Sequence, residues 1–292
     1  MASSILGSAS ADVPAARAGV ARRLARQRGA MVGAAILAVL ALMAVGAPRL
    51  AARDPIRTAP REALQPPGAR YLLGTDQFGR DVASRVLHGA RLSLTVGLIA
   101  VGIAVGLGVP IGLVSGFYGG RLDVFAMRVM DVLLAFPGIL LALAIVGVLS
   151  PGLGNVMIAV GLAAVPTYAR LTRASVLSAR ELLYVEAARA MGGRDRFILA
   201  RYILPNVVAP LIVTSTLGLG TAILSAAALS FLGLGSPPPT PEWGRMLSEG
   251  RDYLREAWWI STFPGLAIML TVLAMNLLGD GLRDVLDPRL KT

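Results

Sequence analysis

Hydrophobic and polar positions segregate along this chain on the scale of whole segments rather than single turns. Five stretches carry no charged residue: 29–48, 92–120, 132–169, 202–241 and 257–279. A helix that crosses a bilayer needs roughly 20 apolar residues. The third stretch is too long for one helix and is interrupted by Ser150-Pro151-Gly152-Leu153-Gly154-Asn155, so it holds two. The fourth holds one helix and then an exit through Pro237-Pro238-Pro239. The pattern predicts six membrane helices, near 29–48, 92–116, 128–149, 154–172, 207–232 and 258–279. Pro110, Pro137 and Pro264 fall in or near these helices and are expected to kink them. Gly108, Gly112 and Gly116 recur every fourth residue, a flat face suited to close packing against another helix of the same chain. Asn276, the main amide of the last helix, is expected to bond a neighbouring helix.

Between the fourth and fifth helices the pattern reverses. Residues 170–201 carry seven arginines. The run Tyr184-Val185-Glu186-Ala187-Ala188-Arg189-Ala190-Met191-Gly192-Gly193 reads as a short helix stopped by glycine. A second helix is expected from Arg194 or Asp195 towards Tyr202. Ala187 and Ala188 are expected to share a small, close-approach face. Glu186 is placed to pair with Arg189, three residues on, or with a basic group of a partner. A polar hairpin between two apolar spans cannot sit in lipid, so it lies at a membrane face and meets something soluble.

Composition narrows the function classes. The chain has 292 residues, 55% hydrophobic and 15% charged, where soluble folds carry about 25% charged residues. It contains no cysteine and a single histidine, His88, which excludes disulfides, thiolate chemistry and Cys/His metal sites. Its only lysine is Lys291, so a phosphate-binding Gly-x4-Gly-Lys loop cannot be present. If ATP drives this protein, another chain binds it. The net charge of +11 reads as membrane orientation rather than nucleic-acid binding. With both termini inside, 17 of the 28 basic residues are cytoplasmic and 11 are outside, eight of those in 49–91. The first span is longer than the apolar core of a signal peptide and follows an arginine-bearing tail, so it reads as an anchor. No carboxylate lies inside a charge-free stretch. That counts against a proton- or ion-coupled carrier, although Asp131 and Asp280 lie near helix ends. A membrane enzyme is the weakest alternative, because no nucleophile–base pair or metal cluster is visible.

The hairpin also resembles the signature of bacterial ABC-importer permeases, Glu-Ala-Ala-x3-Gly-x9-Ile-x-Leu-Pro. Glu186, Ala187, Ala188, Gly192, Leu204 and Pro205 match at the family spacing, while Tyr202 stands at the isoleucine position with Ile203 beside it. Further segments are similar to peptide-type permeases of the DppC/OppC kind. They are Leu73-Gly74-Thr75-Asp76-Gln77-Phe78-Gly79-Arg80-Asp81 with Arg91-Leu92-Ser93-Leu94, Gly116-Phe117-Tyr118-Gly119-Gly120, and Phe136-Pro137. Ser230-Phe231-Leu232-Gly233-Leu234-Gly235, Trp243-Gly244, and Leu278 to Leu290 complete the set. Taken locally, Gly74 and Gly79 read as turn formers, Thr75 or Asp76 as a helix cap, and the charges from Asp280 to Arg289 as a self-paired tail.

The resemblance implies an all-α integral membrane protein with the type I ABC importer permease fold, six transmembrane helices and a cytoplasmic coupling helix. The expected organisation is a cytoplasmic tail (1–28), a first transmembrane helix (29–48) and an extracytoplasmic loop (49–91). A five-helix core (92–279) with coupling segment 184–200 and a cytoplasmic tail (280–292) follow. It further implies a bacterial plasma-membrane subunit without its own cofactor, carrying di- or oligopeptides. The implied partners are a homologous second permease, two ATP-binding subunits holding ATP and Mg, an extracytoplasmic substrate-binding protein and membrane lipid, with no nucleic acid. The same machine with nickel, glutathione or an oligosaccharide as cargo is the alternative.

Overall fold

The computed structural model describes residues 22–286, and the outer parts of both expected tails, 1–21 and 287–292, lie outside the described residues. The main elements are helices: α1 (Arg28–Leu50), α2 (Val82–Tyr118), α3 (Gly120–Leu134), α4 (Gly138–Leu149) and α5 (Leu153–Arg180). After them come α6 (Leu183–Ala190), α7 (Asp195–Ile198), α8 (Leu204–Phe231), α9 (Trp243–Gly250) and α10 (Trp259–Leu286). Helices α1, α2 and α10, and the run from α7 through α8, are long and apolar enough to cross a membrane. The pair α3–α4 adds a fifth crossing if its two halves form one bent span. Helix α5, 28 residues long, covers the remaining expected span, 154–172, but is not among the helices long and apolar enough to cross, and it carries Arg170, Arg173 and Arg180 in its second half.

Two expectations about the spans are corrected. The stretch 128–149 is not one helix: α3 ends at Leu134, α4 begins at Gly138, and their axes differ by 92°. Pro137 is the cause, because it lacks an N–H for the preceding turn and pushes Phe136 out of the helical region. Pro110 and Pro264, by contrast, lie inside uninterrupted helices. The second span begins at Val82, ten residues before its expected start at 92. Its charged first turns read as loop in the sequence, yet Arg85 is buried there. The cap is Asp81, whose carboxylate accepts from the Ser84 N–H at 2.9 Å, and not Thr75 or Asp76.

The glycine face packs inside the chain, as expected. A β-carbon on Gly108 would lie 2.7 Å from Tyr168 Cβ, and one on Gly116 would lie 2.8 Å from Val176 Cβ. These positions let α2 and α5 form the most extensive helix pair in the molecule. Ion pairs then tie α3 to α5. Arg173 grips Asp123 through two bonds of 2.5 and 2.6 Å, and Arg170 pairs with Asp131. Asp131 is therefore neutralised locally. Asn276 does not do what the sequence suggested: it bonds no neighbouring helix among the described residues, and its side chain borders an apolar cavity between α8 and α10.

Two large hydrophobic clusters organise the described residues, beside a smaller one of Met130, Val165 and Ala169. One joins α2, α4, α5 and α8 to the hairpin α6–α7. The other joins α1, α2, α9 and α10, with Trp243 and Trp259 at its centre. Each indole N–H donates to a backbone carbonyl, Trp243 to Val86 and Trp259 to Thr75, both at 3.0 Å. The second bond stitches the segment between α1 and α2 onto α10. That segment is well bonded to itself, with Ala59, Leu64 and Thr75 N–H groups donating to Phe78, Asp76 and Gln65 carbonyls.

Candidate coupling site

Helix α6 has an inward and an outward side. Val185 and Ala188, three residues apart, are buried with Val176, Ile198, Ile203 and Val207 in one cluster. The other side is exposed: Glu186, Ala187, Arg189 and Ala190 face outward. At its rim Leu183 is 82% and Met191 81% exposed. Ala187 and Ala188 thus do not form a common face. Consecutive helical residues point about 100° apart, so one alanine roots the hairpin and the other stands on its surface. No ion pair joins Glu186 to Arg189 among the described residues, and Arg189 instead lies 5.6 Å from the Phe117 ring centroid.

The stop of α6 is built from main-chain bonds. Gly193 N–H donates to the Ala188 carbonyl at 2.9 Å, and Gly192 N–H to Arg189 at 3.0 Å, with Gly192 at φ +79°. This pair of bonds with a left-handed residue is the Schellman arrangement. A β-carbon on Gly192 would meet nothing within 4 Å, so the demand there is for backbone conformation alone.

The return arm is continuous with a membrane helix. Helix α7 passes into a π turn, Leu199–Ile203, and directly into α8, so Asp195–Phe231 is one helical run of 37 residues. Pro205 accounts for the wide turn: it cannot donate to the Arg201 carbonyl, and its ring crowds that oxygen. Leu204 and Pro205 are exposed at this start of α8. Asn206 closes the hairpin by donating to Tyr184 Oη at 2.9 Å and to the Tyr202 carbonyl at 2.6 Å. Tyr202 sits between Tyr184 and Phe197, with ring centroids 6.0 and 5.8 Å away. The departure at position 202 therefore adds an aromatic contact, while Ile203 takes the buried position. The six motif residues divide accordingly: Ala188 supports, and Glu186, Ala187, Gly192, Leu204 and Pro205 are presented to solvent.

At the other end of the molecule the sequence reading missed a buried charge cluster. Asp76 accepts from Arg80 Nε at 2.5 Å, and Glu249 accepts from Arg80 at 2.7 Å and from Arg85 at 3.2 Å. Asp76, Arg80 and Arg85 are only 1–2% exposed. Arg245 reaches the second Glu249 oxygen at 3.2 Å. Two of the eight arginines in 49–91 are thus consumed by structure. Nearby, the Glu242 carboxylate caps α9 by accepting from the Gly244 and Arg245 N–H groups. Burial pushes its carboxyl above the usual range, against those two bonds. Gly74 and Gly79 are turn formers with positive φ, as expected. Of the expected self-paired tail, Asp284 accepts from Gln27 at 3.2 Å, and Asp287 and Arg289 lie outside the described residues.

Comparison with known proteins places this arrangement. Residues 108–292 match the model of the binding-protein-dependent transport system inner membrane component. The chain belongs to that family. Residues 18–67 of this permease match the N-terminal transmembrane domain of oligopeptide transport permease C. It is 48% identical over 271 residues to the dipeptide transport system permease protein DppC of Alkalihalophilus pseudofirmus, covering 93% of this chain and 89% of that one. It is 49% identical over 273 residues to the di/tripeptide permease DppC of Pseudomonas aeruginosa, covering 91% and 90%. The glutathione transport system permease GsiD of Escherichia coli O1:K1 is 48% identical over 271 residues, covering 92% and 89%. The fold matches a chain of the MetNI methionine ABC transporter in an inward-facing crystal form, with a TM-score of 0.57 and 20% identity, over 68% of this chain and 95% of that one. The all-α type I importer permease fold implied by the sequence is the fold found. The protein is a transmembrane transport subunit, and in this family ATP hydrolysis belongs to separate subunits.

Proposed function

We propose that this permease forms half of the membrane path of an ATP-driven importer for di- or oligopeptides, and that the hairpin 183–204 is where an ATP-binding subunit grips it. The observation that carries the docking role is the exposed tip. Leu183 and Met191 stand almost fully in solvent on the same hairpin as exposed Arg189, Arg194 and Arg196, on a root whose Val185 and Ala188 are locked into the core. A monomeric surface gains nothing from such side chains, and a partner groove does. Closure of two ATPases would move the hairpin as a rigid body and, through the continuous run into α8, tilt a membrane helix.

On this reading both termini and the hairpin are cytoplasmic, and Leu153–Arg180 and the bent α3–α4 pair complete six spans of a bacterial plasma-membrane protein. The segment 49–81, α9 and its flanks lie outside, facing a substrate-binding protein. A second, homologous permease completes the path, and ATP with Mg resides in the partner ATPases. Similarity to dipeptide permeases supports a peptide cargo. The glutathione permease is equally similar, so a glutathione-like tripeptide is the second reading. Competition settles it: labelled dipeptide uptake into vesicles bearing the whole complex should require ATP and be displaced by dipeptides before glutathione. Displacement by glutathione alone would select the second reading, and uptake independent of nucleotide would overturn both.

A further inference from the structure

Helix α8 has two unlike faces within the membrane. Leu224, Ala228 and Phe231 border the cavity against α10, which is apolar apart from Asn276. Thr214, Gly218, Thr221 and Ser225 border a different cavity of about 480 Å³, closed by α2, α4 and α5. These four positions fall on one side of a helix, at intervals of four, three and four residues. Across the cavity Thr167 adds a fourth hydroxyl, and Tyr168 donates to the Thr214 carbonyl at 3.4 Å. Thr221 bonds its own helix at the Leu217 carbonyl, leaving its oxygen free to accept. Thr214 lies ten residues into α8 and Ser225 six before its end, so the hydroxyls sit near mid-membrane, about 15 and 9 Å from the ends of the helix.

Polar side chains at this depth face a bundle interior or a water-filled cavity, because hydrocarbon offers them no partner. Thr167 and Thr221 are nevertheless exposed and Thr214 and Ser225 half-buried. No charged residue lines the cavity. We infer that this hydroxyl face is the wall that the subunit contributes to the translocation path, and that it takes the uncharged amide groups of passing cargo. Its volume falls in the range of small-molecule sites, roughly 300–1,000 Å³. Thr221, its proton given to Leu217, can accept from an amide N–H, while the hydroxyls of Thr167, Thr214 and Ser225 can both donate and accept. With no fixed charge, the wall has nothing to discriminate cationic from anionic side chains. The cargo assignment rests on the peptide-importer reading; the water-filled wall does not.

The cysteine-free sequence means that this subunit adds no background thiol to the test. Thr167→Cys, Thr221→Cys and Ser225→Cys are introduced singly into the intact complex in membrane vesicles and treated with a cationic, water-soluble methanethiosulfonate. Leu224→Cys and Met269→Cys, exposed on the other side, serve as controls. The hydroxyl-face thiols should react at least tenfold faster than the controls, and their modification should stop uptake. Equal rates on both faces would overturn the inference, as would full modification at position 221 with ATP-driven uptake intact. That second result leaves the importer reading standing. Selective labelling with uptake indifferent to ATP would instead remove the importer reading and keep the wall. A charge at the same place sharpens the outcome: Thr221→Lys should slow a dilysine peptide relative to a diglutamate peptide by about fivefold, and Thr221→Asp should reverse the order.

Discussion

The two ends of this permease treat arginine in opposite ways. At the end built from the segment before α2 and from α9, Arg80 and Arg85 are buried and held by Asp76 and Glu249, residues more than 160 positions apart in part of the network. At the hairpin end, Arg189, Arg194, Arg196 and Arg201 stand in solvent among exposed Leu183, Met191 and Phe197. The first arrangement is complete within one chain. The second leaves Leu183 and Met191 almost fully exposed and its arginines without a carboxylate partner among the described residues, Arg189 resting on Phe117 and Phe197 on Tyr202, which is the arrangement the proposed docking would cover. On the proposed function one end carries stability and the other association, and substitutions should separate the two properties.

The largest expected effect breaks the buried charge cluster. Glu249→Ala leaves two buried guanidinium groups short of an anion and should destabilise the protein by about 3–5 kcal/mol, read as a lowered unfolding midpoint in detergent. Asp76→Ala should behave alike. Next, Leu183→Ala with Met191→Ala should leave that midpoint within about 0.5 kcal/mol of wild type. The same pair should weaken retention of the ATPase by about 2 kcal/mol, roughly thirtyfold, in a pull-down titration. Glu186→Arg should likewise spare folding and uncouple hydrolysis from uptake. If the tip variants unfold the protein, the division between the two ends is wrong.

A smaller effect probes the stop of α6. Gly192→Val should cost about 1–2 kcal/mol locally, because its backbone is left-handed while its surroundings are open. Gly192→Asn should recover most of it, since asparagine tolerates that conformation. Equal losses of uptake for both would point to a side-chain clash with a partner rather than to backbone strain. The smallest effect concerns pH. The Glu242 carboxyl binds its proton more tightly folded than unfolded. Its contribution is thus full below the ordinary glutamate range and is lost as pH rises through its elevated value. Glu242→Gln should flatten that part of the stability–pH curve, measured by denaturant unfolding between mildly acidic and neutral pH.

Much of this architecture was legible because charge-free length is a local property. The spans, the hairpin and the glycine stop all follow from residues close together in sequence. The positions of Ala187 and Ala188 were not legible, since only the packing of Val176, Ile203 and Val207 decides which alanine turns inward. Nor was the start of α2, because an arginine at 85 reads as loop until Glu249 is known to face it. Pairings between distant loops leave no periodic trace. The hydroxyl face of α8 was present as Thr214, Thr221 and Ser225, but α8 carries three more hydroxyls, on Ser215, Thr216 and Ser230, and nothing in the sequence singles out the three. Only the neighbouring helices reveal that they share an opening.

The unbroken run from Asp195 to Phe231 has a geometric consequence. At 1.5 Å per residue it is a shaft about 55 Å long, with the π turn and Pro210 as its irregularities. A shaft pivoting inside a packed bundle swings its two ends in opposite senses. On the proposed docking, a pull on Phe197 in one direction would carry Ser225 in the other across the pivot, so that grip at one end and parting at the other become one motion rather than two coordinated steps.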